Sequence, residues 1–459
     1  MNILYLHTHD TGRVISPYGY PVHTPNYKSL SNDSLLFHNA FCASPTCSPS
    51  RSSLLCGVYP SQNGMLGLAQ RGFDLKEEMH LSNILKNVGY HRVLCGVQHV
   101  VGYYTDHQAG ANVFYDEDIS ADNSQYCEKD LVKWDIENAR NLAKWLDNNK
   151  SNKNFFVSYG MHATHRAYPD VESIDIDQSV PLTNIPNTKE SREDFAQFKQ
   201  SLSIADECLG RVIASLKRNG YYDNTIIVCT TDHGLANPFE KCTLKDGGTG
   251  VLLMMRVPNT KLKSKSFDGL ISHIDIVPTL LDLIKIKKPD YLEGKSFINL
   301  FNNNEYVENE FVYGEINFHT SYEPARSIRN KRYKYIKYFD KSYLKLNLSN
   351  IDDSIVKDMM MNCDHDLNDY KKSEEYLFDL MYDKFETNNL IDNLDYQQEK
   401  IFLKGKLEEH MKRVSDPLLI NDLKILDKYK VNKRTSKSSR SKDLNDFDSL
   451  GIINRKGEN

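Results

Sequence analysis

Two short stretches place imidazoles beside carboxylates directly after apolar runs. His7, His9 and Asp10 follow Ile3–Leu6, and Asp232 and His233 follow Thr225–Thr230. Ligands of open α/β sheets bind at the carboxyl ends of strands, so these groups converge if the two runs are neighbouring strands. Carboxylate and imidazole together suit a divalent cation. One Asp-His pair alone reads better as a helix cap and a surface imidazole, and the second pair weakens that reading. A third stretch is Thr46-Cys47-Ser48-Pro49-Ser50-Arg51. Ser48-Pro49 suits a helix start, because serine caps and proline is tolerated in the first turn. Cys47 then sits at a positive helix end, where a thiolate or another anion is stabilised, and Arg51 lies one turn further on the same face. Taken alone, Cys47 reads better as a buried structural cysteine.

The elements that must position these groups follow from the apolar pattern. Over the first ~300 residues, short β-branched or aromatic runs alternate with longer amphipathic stretches, as in a parallel sheet with helices on both faces. Expected strands are Ile3–Leu6, His91–Cys95, Phe155–Tyr159, Thr225–Thr230 and Val251–Met255. Expected helices are Leu81–Val88, Asp135–Asn148, Arg192–Asn219 and Ile274–Ile284. Leu209, Val212, Ile213 and Leu216 sit at helical spacing, and Asn219-Gly220 stops that helix. From about residue 311 the pattern changes to short runs at Phe311–Tyr313, Arg332–Tyr338 and Tyr376–Leu380, expected as a smaller antiparallel sheet. The expected organisation is an α/β catalytic unit over 1–310, an antiparallel-sheet domain over 311–415, and a helix then a basic, disordered tail over 416–459. Residues 343–373 form a polar insertion around Ile351–Cys363 with no evident place.

Composition bounds the function classes. The chain has 459 residues, 40% hydrophobic and 26% charged, which fits a globular protein of two or three units. Its net charge of −5 offers no global basic field for nucleic acid. The basic tail (Lys433, Arg434, Lys437, Arg440, Lys442) reads as a solvated segment. No apolar run approaches the roughly 20 residues of a membrane helix. Met1–Leu6 lacks the charged and long apolar regions of a signal peptide, so the expected compartment is the cytoplasm. Nine cysteines without a CxxC pair argue against a zinc ribbon or redox pair, and Cys42 and Cys56 read as packing residues.

Cys47-Ser48-Pro49-Ser50-Arg51 matches the C-x-P-x-R signature of the sulfatase family, within the alkaline-phosphatase-like superfamily. Further segments resemble that family in chain order. They are Thr24-Pro25-Asn26, Gln62–Met65, Thr231-Asp232-His233-Gly234, Lys241–Gly248, Asp275–Thr279, Leu377–Leu380 and Glu386–Leu390. The resemblance covers roughly residues 2–410, and Cys47–Gly57 with Asn63-Gly64-Met65 looks most like the sulfamidase (heparan N-sulfatase) branch. It implies a large, mixed, mostly parallel sheet flanked by helices, with a smaller antiparallel C-terminal sheet. It also implies hydrolysis of a sulfate ester or sulfamate on a small carbohydrate. Cys47 would be converted to formylglycine by a formylglycine-generating or anaerobic sulfatase-maturing enzyme, and the hydrate would attack sulfur. Asp10, Asp232 and His233, with His9 and converted Cys47, would hold one divalent cation. Calcium is the usual ion of the family. Arg51 would orient the hydrate, Lys241 would neutralise sulfate oxygens, His99 would help expel the sulfated intermediate, and His165 would contact the sulfate or leaving group.

Two positions depart from the family pattern. His9 stands where a second carboxylate is expected, which either removes it from the ligand set or shifts preference from calcium towards Mn2+, Zn2+ or Mg2+. Gly96-Val97-Gln98-His99 replaces Gly-Lys-x-His, so Lys241, Arg51, His7 or Arg13 must carry more of the sulfate's charge. Glu323 and Arg326 in Tyr322–Arg326, together with His319, are candidate substrate readers, and a surface turn with a salt bridge fits that segment equally. His162 and Arg166 are further substrate candidates, with a structural histidine the competing reading for His162. Two other functions remain open at this level: a phosphodiester or phosphonate monoester hydrolase of the same superfamily, and an inactive binding homologue.

Overall fold

A computed structural model describes residues 1–102, 107–182, 184–302, 305–363, 367–420, 430–440 and 447–449. Eight strands form the main sheet: β1 (Asn2–Thr8), β2 (Leu35–Phe37), β3 (His91–Gly96), β4 (Glu117–Asp118), β5 (Phe155–Gly160), β6 (Thr225–Thr231), β7 (Leu253–Arg256) and β8 (Lys265–Phe267). Their order is β4-β3-β5-β1-β6-β7-β2-β8. All neighbouring pairs are parallel except β6–β7 and β7–β2. The sheet is mixed and mostly parallel, as expected.

Strand β1 shows why the apolar runs are unbroken. Ile3 and Tyr5 pack into one apolar layer, while Leu4 and Leu6 pack into the layer on the opposite face. A strand covered on both faces has no polar side to alternate with. The first layer is completed by helices α1 (Cys47–Cys56) and α4 (Ile276–Leu283). The second is completed by α2 (Leu131–Asn148) and α3 (Lys189–Arg218), through Leu142, Leu146, Leu209, Val212 and Leu216. All nine cysteines are free thiols, and Cys42 and Cys56 are buried as packing residues.

The C-terminal sheet is fully antiparallel in chain order: β9 (Val312–Phe318), β10 (Tyr322–Arg329), β11 (Tyr333–Tyr338) and β12 (Glu375–Asp379). Tyr322–Arg326, for which the sequence leaves a surface turn as one of two open readings, is the start of a central strand. Pro324 and three charged residues disguise it, but all eight residues of β10 are buried. Helix α5 (Gln397–Arg413) covers this sheet with Leu403, Leu407 and Met411. The 343–373 insertion builds its own small core from Leu348, Ile351, Val356, Met360 and Leu367, packed against Ile185 and Phe239.

Residues 430–440, expected within a disordered tail, take part in the packed structure. Lys430–Asn432 pairs antiparallel with Phe447–Ser449. Val431 and Asn432 are fully buried, and the Asn432 N–H donates to the Thr320 carbonyl. Two of the basic residues there find acids: Arg434 pairs with Asp340 and Arg440 with Glu128. Lys442 and the rest of the tail lie outside the described residues. No helix among the described residues is long and apolar enough to cross a membrane.

Candidate active site

The parallel register of β1 and β6 creates the site. Thr8 lies opposite Thr231, so the two chains leave the sheet side by side. Asp10 follows with a φ of 58°, a left-handed conformation that turns the loop back. Its N–H donates to Asp232 Oδ1 at 2.8 Å, and the His233 N–H donates to the same oxygen at 2.9 Å. Gly234 lets this loop lie against the next, since a Cβ there would stand 1.7 Å from the Gly247 carbonyl oxygen.

Helix α1 brings in the cysteine. Cys47 is its first residue and the extended Thr46 precedes it, so Ser48 lies inside the helix rather than capping it. His9, Asp10, Cys47, Asp232 and His233 are all buried, and their ligand atoms lie within 4.8 Å of one another. Cys47 Sγ is 3.4 Å from His233 Nε2. At this helix start the shift runs opposite to the expected thiolate stabilisation. Burial pushes the Cys47 thiol well above its usual range, and the Asp10 and Asp232 carboxylates add to the rise against the lowering effect of Lys241.

Two cations complete the cluster. Arg51 reaches back along α1, with Nη2 donating to Asp232 Oδ2 at 2.9 Å and Nη1 donating to His7 Nδ1 at 2.5 Å. Lys241 Nζ lies 2.9 Å from Asp10 Oδ2 and 2.8 Å from Asp352 Oδ2. Burial disfavours the charged form of Asp352, yet Lys241 outweighs it and holds the carboxyl well below its usual range.

Four more histidines surround these groups. His165 Nδ1 donates to the Arg166 carbonyl, which leaves Nε2 facing Asp10 Oδ2 at 3.9 Å. His99 Nε2 donates to Gln70 Oε1 at 2.9 Å, and its ring lies 5.9 Å from that of His9. Burial pushes His165 down to about 3 and His99 well below its ordinary value, so both are neutral near pH 7. His162 is fully buried, 5.4 Å from the His165 ring, and its loop is held by Asp135, which accepts the His162 N–H at 2.7 Å. His319, directly after β9, is buried with Lys241 and Asp352 among its charged neighbours.

Other residues singled out from sequence are committed elsewhere. The Arg166 guanidinium pairs with Asp194 and donates to the Ala236 carbonyl at 2.8 Å. Glu323 is taken by Lys372, and accepts from Asn350 at 2.8 Å. Arg326 forms a buried two-point pair with Asp416, at 2.5 and 2.9 Å. Arg13 stacks 4.7 Å over the Phe41 ring and donates to the Ala40 carbonyl. Val97 packs with Leu131 and Trp134 as core. Asp352 is the residue that sequence reasoning missed. It lies in the unplaced insertion, and no local pattern marks a carboxylate that meets Lys241 from 111 positions away.

Comparison with known proteins agrees with this arrangement. The Sulfatase family model matches residues 2–286, and the model described as N-sulphoglucosamine sulphohydrolase, C-terminal, matches residues 232–353. An ulvan-active sulfatase of Formosa agariphila is 26% identical, over 93% of this chain and 77% of its own. The human N-sulphoglucosamine sulphohydrolase is 26% identical over 68% of each chain. A solved structure of a putative sulfatase from Bacteroides thetaiotaomicron superposes with a TM-score of 0.71 at 18% identity, covering 91% of this chain and 94% of that one. The chain belongs to the sulfatase family of sulfuric ester and sulfamate hydrolases.

Proposed function

We propose that this protein hydrolyses a sulfate ester or sulfamate on a small carbohydrate, with Cys47 in its formylglycine form as nucleophile. The observation that carries the reading is the convergence of buried Cys47, Arg51 and Lys241 on one Asp/His cluster. Two named relatives, an ulvan-active sulfatase and N-sulphoglucosamine sulphohydrolase, support a sugar substrate. Conversion of Cys47 requires a separate maturing enzyme that oxidises Cβ from thiol to aldehyde.

The chain's own residues then have distinct tasks. A sulfuryl group in transfer spreads negative charge over its oxygens, and Lys241 and Arg51 are the buried donors placed to stabilise it. Arg51 is held for this by Asp232 and His7, and Lys241 by Asp10 and Asp352. His165 presents an unprotonated Nε2 to the site. It takes the proton of the attacking hydroxyl and returns it to the leaving oxygen or nitrogen. The S–O or S–N bond to the sugar breaks as the new O–S bond forms. His99 then takes the proton of the second hydroxyl, the carbonyl reforms, sulfate departs, and water rehydrates the aldehyde. A divalent cation bound by Asp10, Asp232, His9 and His233 would supply positive charge that acidifies a hydroxyl and offsets sulfate charge. Calcium is the ion the family resemblance suggests, but two imidazoles among these donors count against it.

The test is product release by protein co-expressed with a maturing enzyme. Matched aryl sulfate, aryl phosphate and phosphonate monoesters, together with N-sulfated and O-sulfated glucosamine, are compared. Faster release of sulfate than of any phosphorus product supports the proposal. Preference for a phosphonate or phosphodiester would replace it with the superfamily's phosphorus chemistry, and a fully converted but inert protein would leave a binding homologue.

A further inference from the structure

We infer that the cluster of His9, Asp10, Asp232 and His233 is built for a transition ion of the zinc type rather than for calcium. This rests on the proposal above that the cluster holds a divalent cation, and concerns which one. Both imidazoles face the same pair of carboxylate oxygens. His9 Nδ1 lies 2.9 Å from Asp10 Oδ1 and 3.0 Å from Asp232 Oδ2. His233 Nε2 lies 3.3 Å and 3.6 Å from those same two atoms. Donors around a four-coordinate zinc, bonded at about 2.0–2.2 Å, stand roughly 3.3–3.5 Å apart, close to the His233 spacing, while His9 Nδ1 stands at hydrogen-bond distance from Asp10 Oδ1.

The tautomer of His233 is an independent pointer. Its Nδ1 is 3.0 Å from the Gly234 carbonyl oxygen, which can only accept, so the ring proton sits on Nδ1. In the neutral ring Nε2 therefore directs a lone pair at two carboxylates. The Cys47 thiol, 3.4 Å away, can give it a weak hydrogen bond, but the carboxylates can give it nothing. A backbone carbonyl fixing Nδ1–H while Nε2 faces acidic groups is the outer-shell arrangement that orients a metal-ligating histidine.

The oxygen supply argues the same way. Calcium takes 6–8 oxygen donors and prefers few nitrogens. Of the carboxylate oxygens here, Asp232 Oδ1 already accepts from two backbone N–H groups, Asp232 Oδ2 from Arg51 and Asp10 Oδ2 from Lys241. That leaves Asp10 Oδ1 without such a donor, beside two nitrogens, an oxygen supply far short of calcium's and a donor set closer to that of zinc and its first-row neighbours.

The experiment is metal competition on folded protein, read without turnover. Wild-type protein and a Cys47→Ser variant, which removes the thiol as a donor, are stripped of metal and titrated with Zn2+ and Ca2+. Bound metal is measured by elemental analysis and binding by the shift in melting temperature. Co2+, added as a spectroscopic probe, reports nitrogen coordination through its visible bands. We expect both proteins to bind one Zn2+ in preference to Ca2+, with Co2+ bands in both. His9→Asp and His233→Asn should each weaken zinc binding by more than the roughly 10–100-fold that loss of an outer-shell partner costs. Two variants are used so that misfolding of one leaves the other informative. Tighter calcium binding in both proteins overturns the inference while leaving a metal-dependent reading intact. Zinc preference confined to the protein with a thiol at Cys47 also overturns it, since sulfur rather than the imidazoles would then be responsible. Binding of neither ion would refute the metal reading itself.

Discussion

Asp352 gives a selectivity prediction whose size follows from the structure. Its carboxylate is 2.8 Å from Lys241 Nζ, and the residue is 7% exposed. A sulfate oxygen hydrogen-bonded to the same ammonium would sit about 2.8 Å from Nζ, placing Asp352 about 5–6 Å from the substrate's charge. At an effective dielectric of about 20, that separation costs about 3 kcal/mol per unit of substrate charge. A sulfate monoester carries one charge, whereas a phosphate monoester near pH 7 carries close to two. Asp352 therefore penalises the phosphate by about one extra unit. Asp352→Asn should lower the ratio of sulfatase to phosphatase kcat/KM by about 10–100-fold after allowance for screening. The variant also loosens Lys241, a loss that weighs more on the doubly charged phosphate, so the figure of about 10–100-fold is an upper range. The assay compares nitrophenol release from matched aryl sulfate and aryl phosphate. An unchanged ratio, with both activities falling together, would refute the argument and leave Asp352 as a tether for Lys241.

Arg326 and Asp416 are 3% and 2% exposed, so Arg326→Met should leave a buried carboxylate unpaired and cost about 3–5 kcal/mol in denaturant unfolding. A raised KM at unchanged stability would instead make Arg326 a substrate contact. Burial pushes the fully buried His80 down to about 3 from an ordinary value of 6.5. Between those values the unfolded chain binds the proton and the folded chain does not, so stability falls as pH drops from about 6.5. His80→Gln should flatten the stability–pH slope below pH 6 by up to about 1.4 kcal/mol per pH unit, and an unaltered slope would contradict this. Asn432 donates to Ser349 Oγ at 2.9 Å and accepts from Arg71 at 3.0 Å. Asn432→Ala should therefore destabilise by about 1–3 kcal/mol, and a neutral thermal melt would show that the 430–440 segment is not coupled to the fold.

The main sheet and its helices were legible because their information is local. A strand buried on both faces declares itself as an apolar run, and Leu209, Val212 and Leu216 declare a helix by spacing alone. The cluster was legible for a related reason: Asp10 and Asp232 each follow such a run, and parallel pairing of β1 with β6 does the rest. Strand β10 was hidden because its Glu323, Arg326 and Arg329 are buried by pairing with Lys372, Asp416 and Asp246, acids and bases distant in sequence. Asp352 was hidden for the same reason. Packing of the insertion against Phe239 carries it to Lys241, and nothing within ten residues of Asp352 encodes that meeting.

The central claim is that converted Cys47 performs sulfuryl transfer, and the most direct measurement combines chemistry with turnover. Preparations differing in exposure to a maturing enzyme are digested, and the fraction of the Cys47 peptide bearing the aldehyde is read by mass spectrometry. Sulfate release is measured on the same samples. The account predicts activity proportional to aldehyde occupancy and extrapolating to zero without it. Full activity from protein whose Cys47 remains a thiol would contradict it.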